Sequence, residues 1–150
     1  KPATSSTQRN SEELPSTLVY LCAERLPECS NAPNLSVLGN KSYFRSPNRD
    51  LLDKMFYAIG YTLCEKPVEA PAAEITLGQT AIDYISGKNT PLLQKRGRWS
   101  KRGSLPVLPT LGPDYLAMEP KAKGDVWKDL LSVIDKLGVE LPEWSAKYKK

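Results

Sequence analysis

The chain has 150 residues, which is long enough for one domain with a sizeable hydrophobic core. Apolar residues make up 40% of it and charged residues 25%, proportions typical of a soluble globular protein. The net charge of +4 favours contact with nucleic acid only where the positive charges cluster. Histidine is absent, which excludes Ser-His and Cys-His nucleophile pairs and histidine-containing metal sites. An enzyme built from this chain would have to use carboxylates or lysines.

The cysteines and the hydropathy indicate the compartment. Cys22, Cys29 and Cys64 show no Cys-x-x-Cys spacing, which argues against a disulfide framework or a zinc site. The sequence has no run of about 18 apolar residues, so we predict no membrane span. We expect an intracellular protein in a reducing compartment, which is the cytoplasm or, if a targeting peptide was removed before Lys1, an organelle matrix.

In chain order, the first part of the sequence predicts a tail, a strand and a loop. Residues 1–16 are polar and without periodicity, as in a flexible tail. The apolar run Thr17–Ala23 has the length of a buried strand in a parallel sheet. Residues 25–45 are rich in Pro, Asn, Ser and Gly and predict a long loop, which in a compact domain is usually functional or disordered.

The next segment, SPNRDLLDKMFYAIG, predicts a helix with a signal at each end. Ser46 can cap it, Pro47 suits the first helical position, and Gly60 follows the last turn. Its apolar residues fall on one face. They are Leu51, Leu52, Met55, Phe56 and Ile59.

Short strands and helices alternate after this helix. Strands are predicted at Tyr61–Cys64 and Glu74–Leu77, and the helix GQTAIDYISG that follows ends at Gly87. The segment PLLQKRGRWSKRG predicts a hairpin-like excursion that turns at Gly97 and Gly103.

The last third predicts a strand, a candidate site and a helix. A strand at Leu105–Thr110 leads into PTLGPDYLAMEP, residues 109–120, in which a Gly-Pro-Asp-Tyr turn follows the end of a core strand. Active sites of α/β proteins lie at such positions, so we predict an active-site loop. The final helix covers Lys123–Leu137 and stops at Gly138.

This alternation predicts an α/β protein with one domain. We expect residues 17–138 to form a three-layer α/β/α fold with a small, mainly parallel sheet. Residues 139–150 form a basic C-terminal tail, in which Trp144 docks either on the domain or on a partner.

Four stretches, in the same order, resemble segments of the iron–sulfur type of uracil-DNA glycosylase. They are YFRSPNRDLLDKMFYAIGY, ITLGQTA, LQKRGRW and PVLPTLGPDYLAMEPKAKGDVWKDL. Together they cover most of residues 17–137. The resemblance implies the uracil-DNA glycosylase fold. Enzymes of that family flip uracil out of the DNA strand and cleave its glycosidic bond, so the resemblance also implies this activity.

The resemblance assigns roles to three positions. Phe44 matches the aromatic residue that stacks on the base, and Glu24 matches the acid that positions water. Gly112 falls where the family has the histidine that stabilises the departing uracil anion, so no confident catalytic residue remains. Asp114, two residues later, adds a negative charge that would hinder the reaction.

The region between Gly60 and Leu77 departs from the family. Residues 61–76 are too few for the family's strand, uracil-reading Asn, cysteine-bearing segment and helix, because a crossover alone takes about a dozen residues. Cys64 alone cannot hold a cluster that normally takes four thiolates. We therefore predict that this strand and helix region is trimmed, that the iron–sulfur cluster is lost, and that no metal or other cofactor is bound.

A run of basic residues with one aromatic among them is a candidate nucleic-acid surface. Such surfaces follow phosphates with their charges and stack bases on their rings, although a solvated hairpin explains this run equally well. Its members are Lys95, Arg96, Arg98, Trp99, Lys101 and Arg102.

These observations predict a catalytically inactive domain of uracil-DNA glycosylase type. It would be a binding or structural subunit of a nucleic-acid assembly in replication, repair or a ribonucleoprotein, with DNA or RNA and other proteins as partners. One alternative is a divergent, active uracil-DNA glycosylase of base-excision repair that uses Glu24. Another is a protein-only scaffold whose partners bind the 25–45 loop and both tails.

Overall fold

The computed structural model describes residues 14–66 and 68–145. Within them, six strands form one sheet, and five α-helices and two short 3-10 turns lie between or after the strands. The strands are β1 (Leu18–Arg25), β2 (Leu35–Asn40), β3 (Tyr61–Cys64), β4 (Glu74–Leu77), β5 (Ser100–Arg102) and β6 (Leu105–Thr110). The helices are α1 (Asn48–Ala58), α2 (Gly78–Ser86), α3 (Leu92–Lys95), α4 (Pro113–Met118) and α5 (Lys123–Leu137).

The sheet has a parallel centre and antiparallel sides. Its order is β3-β1-β2-β4-β6-β5, in which β2, β4 and β6 run parallel. β1 is antiparallel to both of its neighbours, and β5 is antiparallel to β6. The predicted α/β fold is confirmed, whereas the prediction of a parallel first strand is wrong. A continuous apolar run indicates burial on both faces of a sheet but carries no information on strand direction.

β2 is a central strand that lies inside the segment predicted as a long loop. Leu35, Val37 and Leu38 are fully buried in it. Pro33 and Asn34 precede the strand and Gly39 lies near its end. These turn-forming residues favour a loop, and the prediction gave them more weight than the short apolar run of β2. The predicted loop of residues 25–45 is therefore corrected to two shorter connections around a strand.

The larger core lies between one face of the sheet and the helices α1, α4 and α5. Leu52 and Phe56 of α1 and Ile59 directly after it are buried there, which confirms the predicted apolar face, and Leu51 and Met55 pack against its border. The predicted cap is wrong, because Pro47 occupies the N-cap position and no side chain caps α1.

The other face of the sheet carries a smaller cluster of buried residues formed by Leu18, Leu38 and Ala81, the last from α2. Helices on both faces are compatible with a three-layer α/β/α fold. α2 ends at Gly87 as predicted. The strands β3, β4 and β6 and the helix α5 have the predicted bounds.

Two predicted irregular segments contain short helices. The hairpin-like excursion begins with α3 and then pairs β5 with β6, and its turn residues Gly97 and Gly103 have positive φ. The predicted loop of residues 109–120 contains α4.

The described part of the predicted C-terminal tail packs on the domain. The Trp144 ring stacks on Tyr57 with centroids 4.6 Å apart, and its Nε1 donates to the Tyr57 carbonyl at 3.0 Å. The predictions for residues 1–13 and 146–150 lie outside the described residues.

A buried acid lies at the start of β4. Glu74 is 0% exposed, on the sheet face opposite Ile75, which is in the larger core. Arg102 of β5 donates to Glu74 Oε1, while Oε2 has no hydrogen-bond partner among the described residues. Burial raises the pKa of Glu74, and the Arg102 charge offsets this only in part.

We expect Glu74→Gln to gain stability relative to the wild type as pH rises. An acid whose pKa is raised in the folded state makes its full contribution to stability at low pH. It loses that contribution as pH rises from its ordinary pKa of 4.5 through the raised value. Glutamine does not titrate, so the difference in unfolding free energy should shift toward the variant across that window. Urea unfolding at a series of pH values measures this difference, with the exposed Glu69→Gln as control. A difference that stays constant with pH would contradict a buried acid with a raised pKa.

Candidate functional site

A cleft of about 570 Å³ opens at the edge of the sheet where the parallel strands end. Asn40 ends β2, Gly78 follows β4, and Gly112 comes two residues after β6; all three line the cleft. In open α/β sheets, ligands bind outside the carboxyl ends of the strands. The segment 109–120, predicted as an active-site loop, thus contributes to a cleft at this edge, although α4 occupies half of it.

Tyr43 fills the floor of the cleft because two glycines leave room for its ring. A Cβ on Gly112 would lie 2.7 Å from both the Cζ and the hydroxyl oxygen of Tyr43. A Cβ on Gly78 would also meet the Tyr43 hydroxyl, and Gly78 has a φ of +85° that disfavours other residues. Position 112 therefore has no space for a side chain while Tyr43 keeps this position.

Asp114 lies at the N-terminus of α4, close to the Tyr43 hydroxyl. The backbone N–H of Tyr115 donates to Asp114 Oδ1 at 2.8 Å. Burial raises the pKa of Tyr43 well above its ordinary value, and the Asp114 charge raises it further. Tyr43 therefore stays protonated at neutral pH beside the Asp114 carboxylate.

The remaining polar groups at the cleft are mostly engaged within the fold. Asn40 Oδ1 accepts from the N–H and the hydroxyl of Ser42, both at 2.9 Å. Gln79 Nε2 donates to Asp83 at 2.9 Å and also to the Thr90 carbonyl. No side chain caps α2, so the first backbone N–H groups of this helix are donors at the cleft wall.

Glu24, the predicted water-positioning acid, lies at the opposite edge of the sheet. Because β1 is antiparallel to β2, Leu18 pairs with Asn40 beside the cleft and Ala23 pairs with Leu35 at the far end. A strand of this length separates the two edges by about 17 Å. The structure therefore does not bring Glu24 and Gly112 together.

Glu24 has local partners instead. Its Oε2 pairs with Lys66 Nζ at 2.5 Å, and its Oε1 accepts from Cys64 Sγ at 3.3 Å. The hydrogen bond from Lys66 lowers the pKa of Glu24, with a smaller contribution from Cys64.

Phe44, the predicted base-stacking residue, lies in the larger core and is only 8% exposed. Its neighbour Tyr43 lines the cleft instead. The sequence prediction missed Tyr43 because β2 was interpreted as loop. If β2 had been recognised as a strand, Tyr43 would have been predicted at its carboxyl end, where the cleft lies.

Part of the predicted basic cluster is structural. Arg96 makes a two-pronged contact with Asp129 of α5, from Nη2 to Oδ1 at 2.7 Å and from Nε to Oδ2 at 3.1 Å. Thr110 Oγ1 also donates to Oδ2, at 2.6 Å, and Asp129 is only 2% exposed. These contacts join α3, β6 and α5.

Two further members of the cluster are engaged. Trp99 Nε1 donates to Ser132 Oγ at 2.7 Å and its ring packs against the larger core, with Lys136 Nζ 5.2 Å from the ring centroid. Arg102 pairs with the buried Glu74. The members that remain exposed and outside these described pairs are Lys95, Arg98 and Lys101.

Two of these exposed charges, Lys95 and Arg98, lie beside the cleft, whereas Lys101 pairs with Pro106 near the start of β6, toward the other edge of the sheet. A shallow basic depression is lined by Leu93, Gln94, Lys95, Arg96 and Arg98. Leu93 and Gln94 also line the cleft, so the two surfaces are continuous. We refer to Lys95 and Arg98 as the basic rim.

No group of three or more His, Cys, Asp or Glu residues within 14–66 and 68–145 is placed to hold a metal ion. In the same part of the chain, no helix is both long and apolar enough to cross a membrane. The sequence matches no protein-family model and has no significant match among the curated proteins. The resemblance to uracil-DNA glycosylases, and with it the loss of the iron–sulfur cluster, therefore stays a prediction.

Proposed function

We propose that this chain is a non-catalytic binding domain for single-stranded nucleic acid and that it acts as a subunit of a larger nucleic-acid assembly. The continuity between the cleft and the basic rim through Leu93 and Gln94 carries this proposal. Proteins that hold single strands combine a surface for the bases with a positively charged track for the phosphates.

The charges of the cleft and of the basic rim indicate how a bound nucleic-acid strand would lie. Asp114 places a negative charge in the cleft, which repels a phosphate but not a neutral base. Tyr115 and Leu93 provide apolar surface for a base there, and Leu93 is 63% exposed. The backbone donors at the start of α2 can hydrogen-bond to a base edge. The phosphates would then follow Lys95 and Arg98.

The cleft also lacks the arrangement that the glycosylase reaction requires. Gly112 has no side-chain donor for a departing uracil, and Glu24 lies at the other edge of the sheet. Removing a single donor of this kind typically lowers the rate by about 10²–10³. The separation of Glu24 from Gly112 therefore supports a function in binding rather than in the release of uracil.

Neutralising the basic rim should weaken binding and flatten its salt dependence. Each lost phosphate contact lowers the slope of log affinity against log salt by about one. We therefore expect Lys95→Gln/Arg98→Gln to lower the slope by up to about two. Fluorescence anisotropy of labelled single-stranded DNA and RNA, titrated at several salt concentrations, measures both quantities.

The matched control removes two positive charges elsewhere, in Lys54→Gln/Lys128→Gln, both exposed positions. Equal losses in the two double variants would show that only net charge matters and would contradict a defined track for the phosphates. Release of uracil from a uracil-containing strand in the same mixtures would overturn the non-catalytic part of the proposal.

A further inference from the structure

Two of the three cysteines lie directly opposite one another on neighbouring strands. Cys22 of β1 pairs with Cys64 of β3 in the antiparallel register, and both are free thiols. Directly opposed residues of an antiparallel pair share one face of the sheet, so the two side chains are neighbours. The third cysteine, Cys29, belongs to neither strand.

The backbone separation suits a disulfide. Opposed residues in antiparallel strands have Cα atoms about 4.5–5.5 Å apart, within the range of about 4.4–6.8 Å found in disulfides. Their Cβ atoms are about 4.5–5.5 Å apart, whereas a disulfide needs about 3.5–4.5 Å. Closure therefore requires β3 to approach β1 by up to about 1 Å. Among the strands that the structure describes, β3 is the outermost on its side of the sheet, so none of them restrains its outer edge.

We propose that Cys22 and Cys64 form a reversible oxidation site, which closes to an intramolecular disulfide when the glutathione pool becomes oxidised. Cys64 is partly exposed and Cys22 is buried, so Cys64 is the thiol that glutathione disulfide reaches first. The site lies away from the cleft and does not depend on the proposed binding function.

The exchange takes two steps. The Cys64 thiolate attacks glutathione disulfide, and the glutathione thiolate that leaves takes up the proton lost by Cys64. The Cys22 thiolate then attacks Cys64 Sγ of the mixed disulfide and displaces the second glutathione, which takes up the proton from Cys22. Two electrons pass from the protein thiols to glutathione disulfide.

Glu24 restrains this exchange. The Cys64 thiol donates to Glu24 Oε1 at 3.3 Å. Burial raises the pKa of Cys64, and the hydrogen bond to Glu24 raises it further, so the attacking thiolate is scarce at neutral pH. We expect Glu24→Gln to oxidise several-fold faster than the wild type.

The test incubates the folded chain in glutathione buffers of increasing oxidised fraction, traps free thiols by alkylation and maps the peptides by mass spectrometry. We expect a Cys22–Cys64 link in the wild type and in Cys29→Ser, and no intramolecular link in Cys64→Ser. Circular dichroism of each variant verifies that it is folded.

Three results would overturn the proposal. The first is Cys64 carrying glutathione while Cys22 stays reduced at every buffer composition. The second is disulfides to Cys29 in amounts equal to the Cys22–Cys64 link. The third is oxidation in Glu24→Gln that is no faster than in the wild type, which would remove the restraint assigned to the carboxylate.

Discussion

Arg96→Met should lower the free energy of unfolding by about 3 kcal/mol, measured by urea denaturation at neutral pH. The substitution keeps the aliphatic volume of Arg96 but leaves Asp129, which is only 2% exposed, without its charged partner. Breaking a buried ion pair from one side typically costs about 3–5 kcal/mol. The lower end applies because the Arg96 side chain is 23% exposed.

Two further variants distinguish the loss of the Arg96–Asp129 ion pair from a nonspecific effect of removing a charge. Arg98→Met removes an exposed neighbouring charge and should change stability by less than about 0.5 kcal/mol. Arg96→Met/Asp129→Leu removes both charges and should recover most of the loss, since apolar replacements of a buried pair are often neutral. An Arg96→Met protein as stable as Arg98→Met would show that Arg96 is a surface residue, contrary to the structure.

Gly112→Ala should destabilise the fold by about 2 kcal/mol. The new Cβ would lie 2.7 Å from two atoms of the Tyr43 side chain, which is buried and cannot move freely. Overpacking of this kind typically costs about 1–3 kcal/mol. Thermal and urea unfolding of the variant measure the loss.

Gly124→Ala is the matched control, because a Cβ at this position in α5 meets nothing within 4 Å. It should stabilise the protein by up to about 1 kcal/mol, the usual preference for Ala over Gly in a helix. Tyr43→Leu should remove most of the Gly112→Ala effect in a double-mutant cycle, since the two residues are in contact. Additive effects at positions 43 and 112 would contradict a cleft floor formed by Tyr43.

Local patterns predict the elements whose determinants are close in sequence. The helix α5 follows from its apolar spacing and from Gly138, which adopts the left-handed conformation at its end. The strand β6 and the location of a site directly after it follow from an apolar run and a turn. By contrast, the direction of β1 depends on its pairing with β2 and β3, which no local pattern contains.

The composition of the site depends on contacts between distant parts of the chain. Arg96 and Asp129 are 33 residues apart, so the sequence gives no reason to remove Arg96 from a basic surface. Glu24 follows an apolar run, as an acid at a strand's carboxyl end does, but the reversed direction of β1 places it at the edge away from the cleft. Tyr43 escapes prediction because the strand before it, β2, begins after Pro33 and Asn34 and contains Gly39, so the segment resembles a loop.

Hydrogen exchange, measured by mass spectrometry with and without a single-stranded oligonucleotide, tests the central claim most directly. We predict slower exchange in three segments at the cleft and the basic rim: residues 78–80, 91–98 and 111–115. Peptides from α1 and from β3 should not change. Protection confined to those distant elements, or no protection at oligonucleotide concentrations that saturate binding, would contradict a strand held across the cleft and the basic rim.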